Sequence, residues 1–333
     1  MQFPSKAGRA GLTVCLAAAV VLSARAAEPD KYLPSDSEAV LVFNVQEMLN
    51  SPLVKKYGLG QLKSAMESND DAKKFFKATG LDPLKDIHKV IIGASIGKGD
   101  EPKVLIVVRG KFDVDKIQTA VVDEAKAKGE EVKVIEKGGK KIYKIDSKGG
   151  KPTFASFADS STLVLSQSEQ DTVSGLKGGG KVSPELVTAL DRLGGKESVY
   201  AALVITDQMK KKMADGPNPQ FKEIAPKLQY VTGIFDVTDD VKLKLSVQTS
   251  DAKAADKVKM TLNQFVPLIG MMAAGQAEKL GPTVTDLVKQ IEVKKDDKNA
   301  VSVSLVVTEK MMKEMEENAK NAGKGGKEKD NKQ

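Results

Sequence analysis

The chain has 333 residues, with 52 basic and 45 acidic side chains and a formal net charge of +7. Its lysines and acids are interspersed, it has no Trp, and it has five Tyr, which argues against a nucleic-acid footprint and against stacking of bases or sugars. The single Cys excludes a disulfide framework within the chain.

The N-terminal segment has the three parts of a secretory signal peptide. Lys6 and Arg9 precede an uncharged apolar stretch at 12–24, and an Ala-x-Ala motif ends at Ala26. The apolar stretch is too short to span a bilayer permanently. We therefore expect removal of residues 1–26 and a periplasmic or extracellular product. That product has no cysteine, and its net charge falls from +7 to +4 because the segment carries three basic residues and no acid.

One local pattern occurs twice, as LVITDQM at 203–209 and as LVVTEKM at 305–311. In each copy an apolar, β-branched run ends at a Thr that is followed by an acidic residue, Asp207 in the first copy and Glu309 in the second. Such a Thr caps a helix by accepting a backbone N–H, and the acid complements the positive helix start. The sequence therefore predicts a strand that runs directly into a capped helix as a repeated unit.

The first half begins with a polar leader at 28–37. Its predicted elements follow in this order: a strand at 39–44, helices from Pro52 to Thr79, a hairpin of 88–96 and 103–109, a helix capped by Asp113, four short strands around Val132, Ile142, Phe154 and Val164, and a helix from about Gln167. The Gly- and Lys-rich run 175–181 predicts a flexible boundary between two domains.

The second half is expected to repeat this order. Its predicted elements are a helix opened by Ser183 and Pro184, a strand at 199–205, two short helices, a hairpin of 230–237 and 241–249, helices over 252–288 broken at Pro267 and at Gly281-Pro282, a hairpin of 291–294 and 300–307, and a last helix. In 241–249 apolar and polar residues alternate, which is typical of a half-buried antiparallel strand.

The repeated order predicts an α+β protein that arose by internal duplication. We expect two tandem ferredoxin-like units with antiparallel sheets and helices on one face, at 28–180 and 181–317. The tail at 318–333 is rich in Lys, Glu, Gly and Asn, and we expect it to be disordered.

Three motifs resemble sites of chemistry, and each has a simpler structural interpretation. Residues 93–97 (GASIG) match a nucleophile-elbow pattern, but a turn and another strand are expected to follow where the elbow needs a helix, and the sole histidine, His88, precedes the Ser. Residues 175–181 resemble a phosphate loop, but Val182 stands where a hydroxyl should hold magnesium. The acidic pairs at 70–71, 239–240 and 296–297 fit turns and helix starts. We therefore predict no catalytic, metal or cofactor-binding residues.

The segment 265–274 (FVPLIGMMAA) is apolar on every side. Such a segment either fills the core or offers an adaptable apolar surface to a partner or a lipid, since Met repacks easily. The sequence favours the core. If the segment is exposed, the residues of the interaction surface are Phe265, Leu268, Ile269, Met271 and Met272.

A resemblance to a group of secreted proteins rests on three phrases: LPSDSEAVLVFN at 33–44, GLDPLKDI at 80–87 and RGKFD at 109–113. The chain resembles uncharacterised secreted bacterial proteins that begin with a similar phrase. The resemblance implies export and duplicated α+β domains, and it implies no activity and no site residues.

Two classes of function remain open. The first, which the sequence favours, is a non-catalytic exported protein that binds or scaffolds an unknown ligand, with an envelope protein or a lipid as possible partner and without spanning the membrane. A narrower form of it is binding of a lipid surface through 265–274. The second is a hydrolase whose carboxylates and lysines come together only in the fold.

Overall fold

The structure is a computed structural model, and it describes residues 26–96, 102–127, 129, 132–146, 151–217 and 219–329. Side chains are described in these ranges outside 276–280 and 321–329. Most of the predicted signal peptide, the Gly-rich turn after Ile96, and the last four residues of the tail lie outside the described residues.

Within this part of the chain there are twelve strands. They are β1 Ala39–Phe43, β2 Ile87–Ser95, β3 Lys103–Gly110, β4 Val132–Lys137, β5 Lys140–Ile145, β6 Thr153–Asp159, β7 Thr162–Ser166, β8 Val199–Val204, β9 Leu228–Val237, β10 Val241–Thr249, β11 Glu292–Asp297 and β12 Ala300–Val307.

The helices of the described residues lie between these strands in the chain, except the last, which follows β12. They are α1 Val45–Asn50, α2 Leu59–Glu67, α3 Asp70–Thr79, α4 Pro83–Asp86, α5 Val114–Ala127, α6 Glu169–Lys177, α7 Pro184–Leu190, α8 Asp207–Ala214, α9 Pro219–Ile224, α10 Ala252–Leu280, α11 Thr283–Lys289 and α12 Glu309–Lys329, with a π-helical turn at Val54–Gly58 and a 3₁₀ turn at Ala225–Lys227.

All twelve strands form one antiparallel sheet, in the order β11-β12-β10-β9-β8-β1-β2-β3-β7-β6-β5-β4. The fold is therefore mixed α+β with a large antiparallel sheet. β1 and β8 lie side by side at its centre, where Leu41 is paired with Ala201. The edge strands β4 and β11 are rich in charged residues, which discourages further strand pairing.

A row of directly paired residues crosses the whole sheet on one face, which we call the front face. Every member is apolar or glycine, and there is one from each strand. From β4 to β11 the row is Val134, Tyr143, Ala155, Leu165, Ile106, Ile92, Leu41, Ala201, Gly233, Leu245, Val303 and Val293. Most of these side chains are only half-buried, and Leu245 is 59% exposed.

The opposite face, the back face, is dry at the centre of the sheet. Val107 and Val164 are fully buried there and Leu105 is 1% exposed, under α6 and α7 and the leader. Because both faces are apolar in the central strands, the sequences of β2 and β3 are nearly continuous apolar runs. Coverage distinguishes the faces at the centre of the sheet, where the back face is closed and the front face is partly open.

The leader is built into this core. Leu33 is 1% exposed and Tyr32 is 6% exposed. Arg109 of β3 donates to Asp30 at 2.7 Å through Nη2 and to Thr162 at 2.7 Å through Nη1, and its guanidinium lies 5.0 Å from the Tyr32 ring. One of the two arginines of the expected mature chain therefore fastens the leader to the sheet.

The structure departs from the predicted architecture in its strand order. A ferredoxin-like unit inserts a strand between the two that its first helix connects. Here β1 pairs directly with β2, and β8 pairs directly with β9, so neither half has the ferredoxin-like order. The principal core also draws residues from both sides of the predicted boundary, because the pairing of β1 with β8 joins the halves into one sheet.

The run 175–181, predicted to be a flexible boundary, is packed against the leader. A Cβ at Gly180 would lie 2.7 Å from the Leu33 carbonyl oxygen, so this close approach requires glycine. Val182, directly after the run, is buried in the core. The glycines permit close packing here, and the prediction of a free linker is wrong.

Two helices are longer than the sequence predicts. α10 continues through Pro267, which loses one backbone hydrogen bond and does not end the helix. α12 continues to Lys329, through most of the tail that we expected to be disordered. Pairs such as Lys320 with Glu316, four residues apart, support a helix that needs no apolar burial.

Candidate functional site

The apolar segment predicted as core or as an interaction surface is exposed. Met272 is 76% exposed, Met271 is 65%, Leu268 is 47%, Ile269 is 44% and Phe265 is 42%. The interpretation as core is therefore wrong. We call these five residues, which start at the middle of α10, the overhang.

The overhang continues a helix face that is buried in the first half of α10. Ala255 and Val258 are buried against the second core cluster, with Ile224, Leu228 and Val301. Phe265 follows Val258 by seven residues, and Met272 follows Phe265 by seven, so all three lie on the same side of the helix. The sheet and its neighbours cover this stripe at its start and leave it open after about residue 264.

The helices around this stripe carry more positive than negative side chains. Over the five helices α8 to α12, of which α9, α11 and α12 pack on α10, the sequence has fifteen Lys and ten acidic residues. Several of these are paired, for example Lys295 of β11 with Asp256 of α10 at 2.7 Å. The overhang is thus an apolar surface on a mildly basic group of helices.

The front face adds further exposed apolar area on β10. Leu245 is 59% exposed and Leu243 is 39% exposed, while Gln248 on the opposite face is buried. The predicted alternation is confirmed, because apolar and polar side chains of β10 lie on opposite faces of the sheet. In this part of the sheet, however, the apolar side chains are the more exposed ones.

The back face holds a polar cavity of about 370 Å³ beside β9 and β10. Its lining combines charged, hydroxyl and amide side chains: Arg192, Tyr230, Thr232, Lys244, Ser246, Gln248 and Asp296, with Leu193, Ile234 and Ala300. Lys244 Nζ lies 2.9 Å from Asp296 Oδ2, and Arg192 Nη1 lies 3.0 Å from Asp297 Oδ2. We call this the polar cleft.

Sequence reasoning missed the polar cleft. The available signal was the run of polar residues on one side of β10, at Lys244, Ser246 and Gln248, which suggested a solvated strand surface. The structure shows that Gln248 is 8% exposed and that Thr232, paired with Ser246, is 6% exposed. Tyr230 lies beside the guanidinium, and its charge interaction and hydrogen bond hold the pKa of Arg192 above the ordinary value.

The motifs that resembled catalytic sites form structural features. Ser95 lies within β2, is 2% exposed, and is paired with Lys103 of β3, so it does not stand on an exposed turn. Gly93 lies directly against Leu33, and a Cβ added at this position would be 2.5 Å from the Leu33 Cδ2. The site requires glycine for this close packing. His88 is exposed on the same strand.

The carboxylates near the remaining cavities are used locally. In the cavity beside α5, Asp113 pairs with Lys116 at 2.9 Å, and Asp86 accepts the amide of Asp82 at 2.7 Å. Among the residues that the structure describes, no group of three or more His, Cys, Asp or Glu could hold a metal ion. Within the same residues, no helix is both long enough and apolar enough to cross a bilayer.

The predicted strand-to-helix units are both present. Thr206 accepts the amide of Met209 at 3.3 Å at the start of α8, and Thr308 accepts the amide of Met311 at 3.3 Å at the start of α12. At the second of these starts, Glu309 accepts hydrogen bonds from Lys56 Nζ and from Tyr57 Oη, both at 2.7 Å. These donors hold the pKa of Glu309 at about 2.

Comparison with known proteins gives one structural likeness. No family model matches the chain, and no curated protein matches it. The solved structure of crystal form I of TP0453 is similar over 86% of this chain and 94% of that chain, with a TM-score of 0.45 and 12% sequence identity.

Proposed function

We propose that this is an exported, non-catalytic binding protein that docks on an anionic membrane surface through the overhang. The observation that carries the proposal is the exposed apolar stripe of α10, which continues a buried helix face beyond its cover. Phe265, Leu268, Ile269 and Met272 could insert into the region between headgroups and acyl chains, as the apolar side of an interfacial helix does.

The charge balance around α10 favours an anionic surface as the occupant. A lysine close to an anionic membrane contributes about 1 kcal/mol of attraction, and the helices α8 to α12 have fifteen lysines against ten acidic residues. The stripe is too short, and α10 too polar at its start, to act as a spanning segment. The surface therefore suits a protein that lies on a membrane and does not cross it.

Export and duplication belong to the same proposal. The N-terminal pattern supports export, which would place the protein beside a membrane. Support for duplication comes from strand order: β1-β2-β3-β7-β6 on one side of the centre corresponds to β8-β9-β10-β12-β11 on the other, with β4-β5 added to the first. The units so related share a strand order that differs from the ferredoxin-like one: three consecutive strands, and then a hairpin whose second strand is the inner one. No described cavity gathers unpaired carboxylates in a way that favours the hydrolase alternative.

Co-sedimentation with vesicles tests the proposed function. Purified protein without residues 1–26 should bind vesicles that contain phosphatidylglycerol, and it should bind vesicles of phosphatidylcholine alone less well. Added salt should weaken the binding only in part, because apolar insertion is not screened. Absence of binding to either kind of vesicle would rule out the proposal.

A further inference from the structure

The predicted cleavage site lies where the chain passes from the surface into the core. Ala26 is exposed, whereas Ala27 is 2% exposed and belongs to the principal core. The backbone nitrogen of Ala27 donates to the Leu193 carbonyl oxygen at 3.0 Å. Cleavage after Ala26 therefore turns a buried amide nitrogen into the α-amino group of the mature chain.

An α-amino group at this place changes both the local charge and the local hydrogen bonding. Below its ordinary pKa of about 8 it is an ammonium group. Such a group has three N–H donors, and the Leu193 carbonyl accepts from one of them. A buried cation with unused donors is costly unless an anion or further acceptors lie nearby.

The loop that follows Leu193 carries such an anion. Glu197 Oε1 accepts the amide of Gly194 at 2.7 Å, while Glu197 Oε2 is buried and has no hydrogen-bond partner among the described residues. Burial raises the pKa of the Tyr200 phenol to about 12, and the charges of Glu197 and Asp30 add to this rise. Asp30 is paired with Arg109, so Glu197 is the buried charge that lacks a counter-ion.

One peptide group connects the nitrogen of Ala27 with this carboxylate. The Leu193 carbonyl accepts from Ala27, and the next N–H donates to Glu197, so the nitrogen and Oε1 are no more than about 8 Å apart. The loop also closes on Ala27, since a Cβ at Gly195 would lie 3.3 Å from the Ala27 Cα. Charges at this separation interact strongly where water is excluded.

We propose that Glu197 is the counter-ion of the α-amino group that cleavage after Ala26 creates. In the precursor the carboxylate is buried without a cation, which destabilises the fold. In the mature chain the ammonium supplies the missing charge and donors, and Ala27 is held more firmly on the core. Processing thus stabilises the folded state. The inference rests on the removal of residues 1–26 that the proposed function includes.

A double-mutant cycle in urea tests this pairing. One version of the chain begins at Ala27, and the other carries Gly-Ser-Gly before Ala27, which moves the positive charge away from the loop. Glu197→Gln should raise the unfolding equilibrium constant at least tenfold in the first version and should not raise it in the second. The matched control, Glu28→Gln, removes an exposed carboxylate next to Ala27 and should change both versions to the same extent, within twofold.

Equal effects of Glu197→Gln in the two versions would overturn the inference. If that variant does not fold, acetylation of the α-amino group in the two wild-type versions decides. The amine of Ala27 should react at least tenfold more slowly than the amine of the Gly-Ser-Gly version, and equal rates would refute the pairing. Both versions are released from a fusion by a protease and neither measurement uses vesicles, so failure here is distinguishable from failure of membrane docking.

Discussion

Replacement of Met272 by Ser should weaken membrane binding without weakening the fold. Met272 is 76% exposed, so about a quarter of its side chain is removed from water by folding. Complete burial of a Met side chain contributes about 1.5–3 kcal/mol. The free energy of unfolding should therefore fall by less than about 1 kcal/mol. The exposed three quarters leave about 1–2 kcal/mol for insertion, so vesicle affinity should fall about five- to thirtyfold.

The matched control is Met260→Ser on the same helix. Met260 is 57% exposed and lies away from the inserting side chains Phe265, Leu268, Ile269 and Met272. Nine residues, or about two and a half turns, place it on the opposite side of α10 from Ile269. Vesicle co-sedimentation and urea unfolding should be measured for both variants. If both lose affinity equally, or if neither does, the stripe is not the contact surface. A large loss of stability in Met272→Ser would show that the residue belongs to the core.

The remaining predictions concern the fold. Arg109→Gln leaves the Asp30 carboxylate, 10% exposed, without its ion pair, so urea unfolding should show a loss of about 1–3 kcal/mol, and unchanged stability would show that the leader is held in another way. Gly180→Ala places a Cβ 2.7 Å from a leader carbonyl and should cost about 1–3 kcal/mol, whereas a free linker would tolerate it. Because the pKa of Glu309 is lowered to about 2 from 4.5, its contribution to stability is present above pH 4.5 and is lost as pH falls towards 2. Tyr57→Phe should raise this pKa in an NMR titration; an unchanged midpoint would contradict the role of the Tyr57 hydroxyl.

Local signals in the sequence predicted local structure well. The hairpin of β2 and β3, the four strands β4 to β7, and the hairpin of β9 and β10 are confirmed. So are the caps at Thr206 and Thr308, because a hydroxyl at the end of an apolar run determines a helix start through one nearby hydrogen bond. That local repeat nevertheless does not mark corresponding places in the sheet, since β8 is central and β12 lies next to an edge.

The sequence could not show how distant strands pair or which helix faces are covered by the core. The pairing of β1 with β8 joins residues about 160 positions apart, and no local pattern encodes it. The same applies to the overhang: Val258 and Phe265 are similar apolar residues on one helix face, but one meets the core and the other extends past it.

The polar cleft was hidden for a related reason. Alternation in β10 showed which residues share a face, and it could not show that the polar face would be the better buried one around Gln248. The helix after β12 packs on α10 and α11, and no local pattern in β10 indicates where that helix lies.

The overhang can be probed directly because the chain without residues 1–26 has no cysteine, so a spin label attached to one introduced Cys reports on one place. Ile269→Cys and Met260→Cys should be labelled and compared on vesicles that contain phosphatidylglycerol. The account predicts that oxygen collides with the label at 269 more often once vesicles are added, as for a label inside the apolar layer, while the label at 260 stays in water. A label at 269 that remains fully accessible to a water-soluble relaxation agent on membrane-bound protein would contradict it.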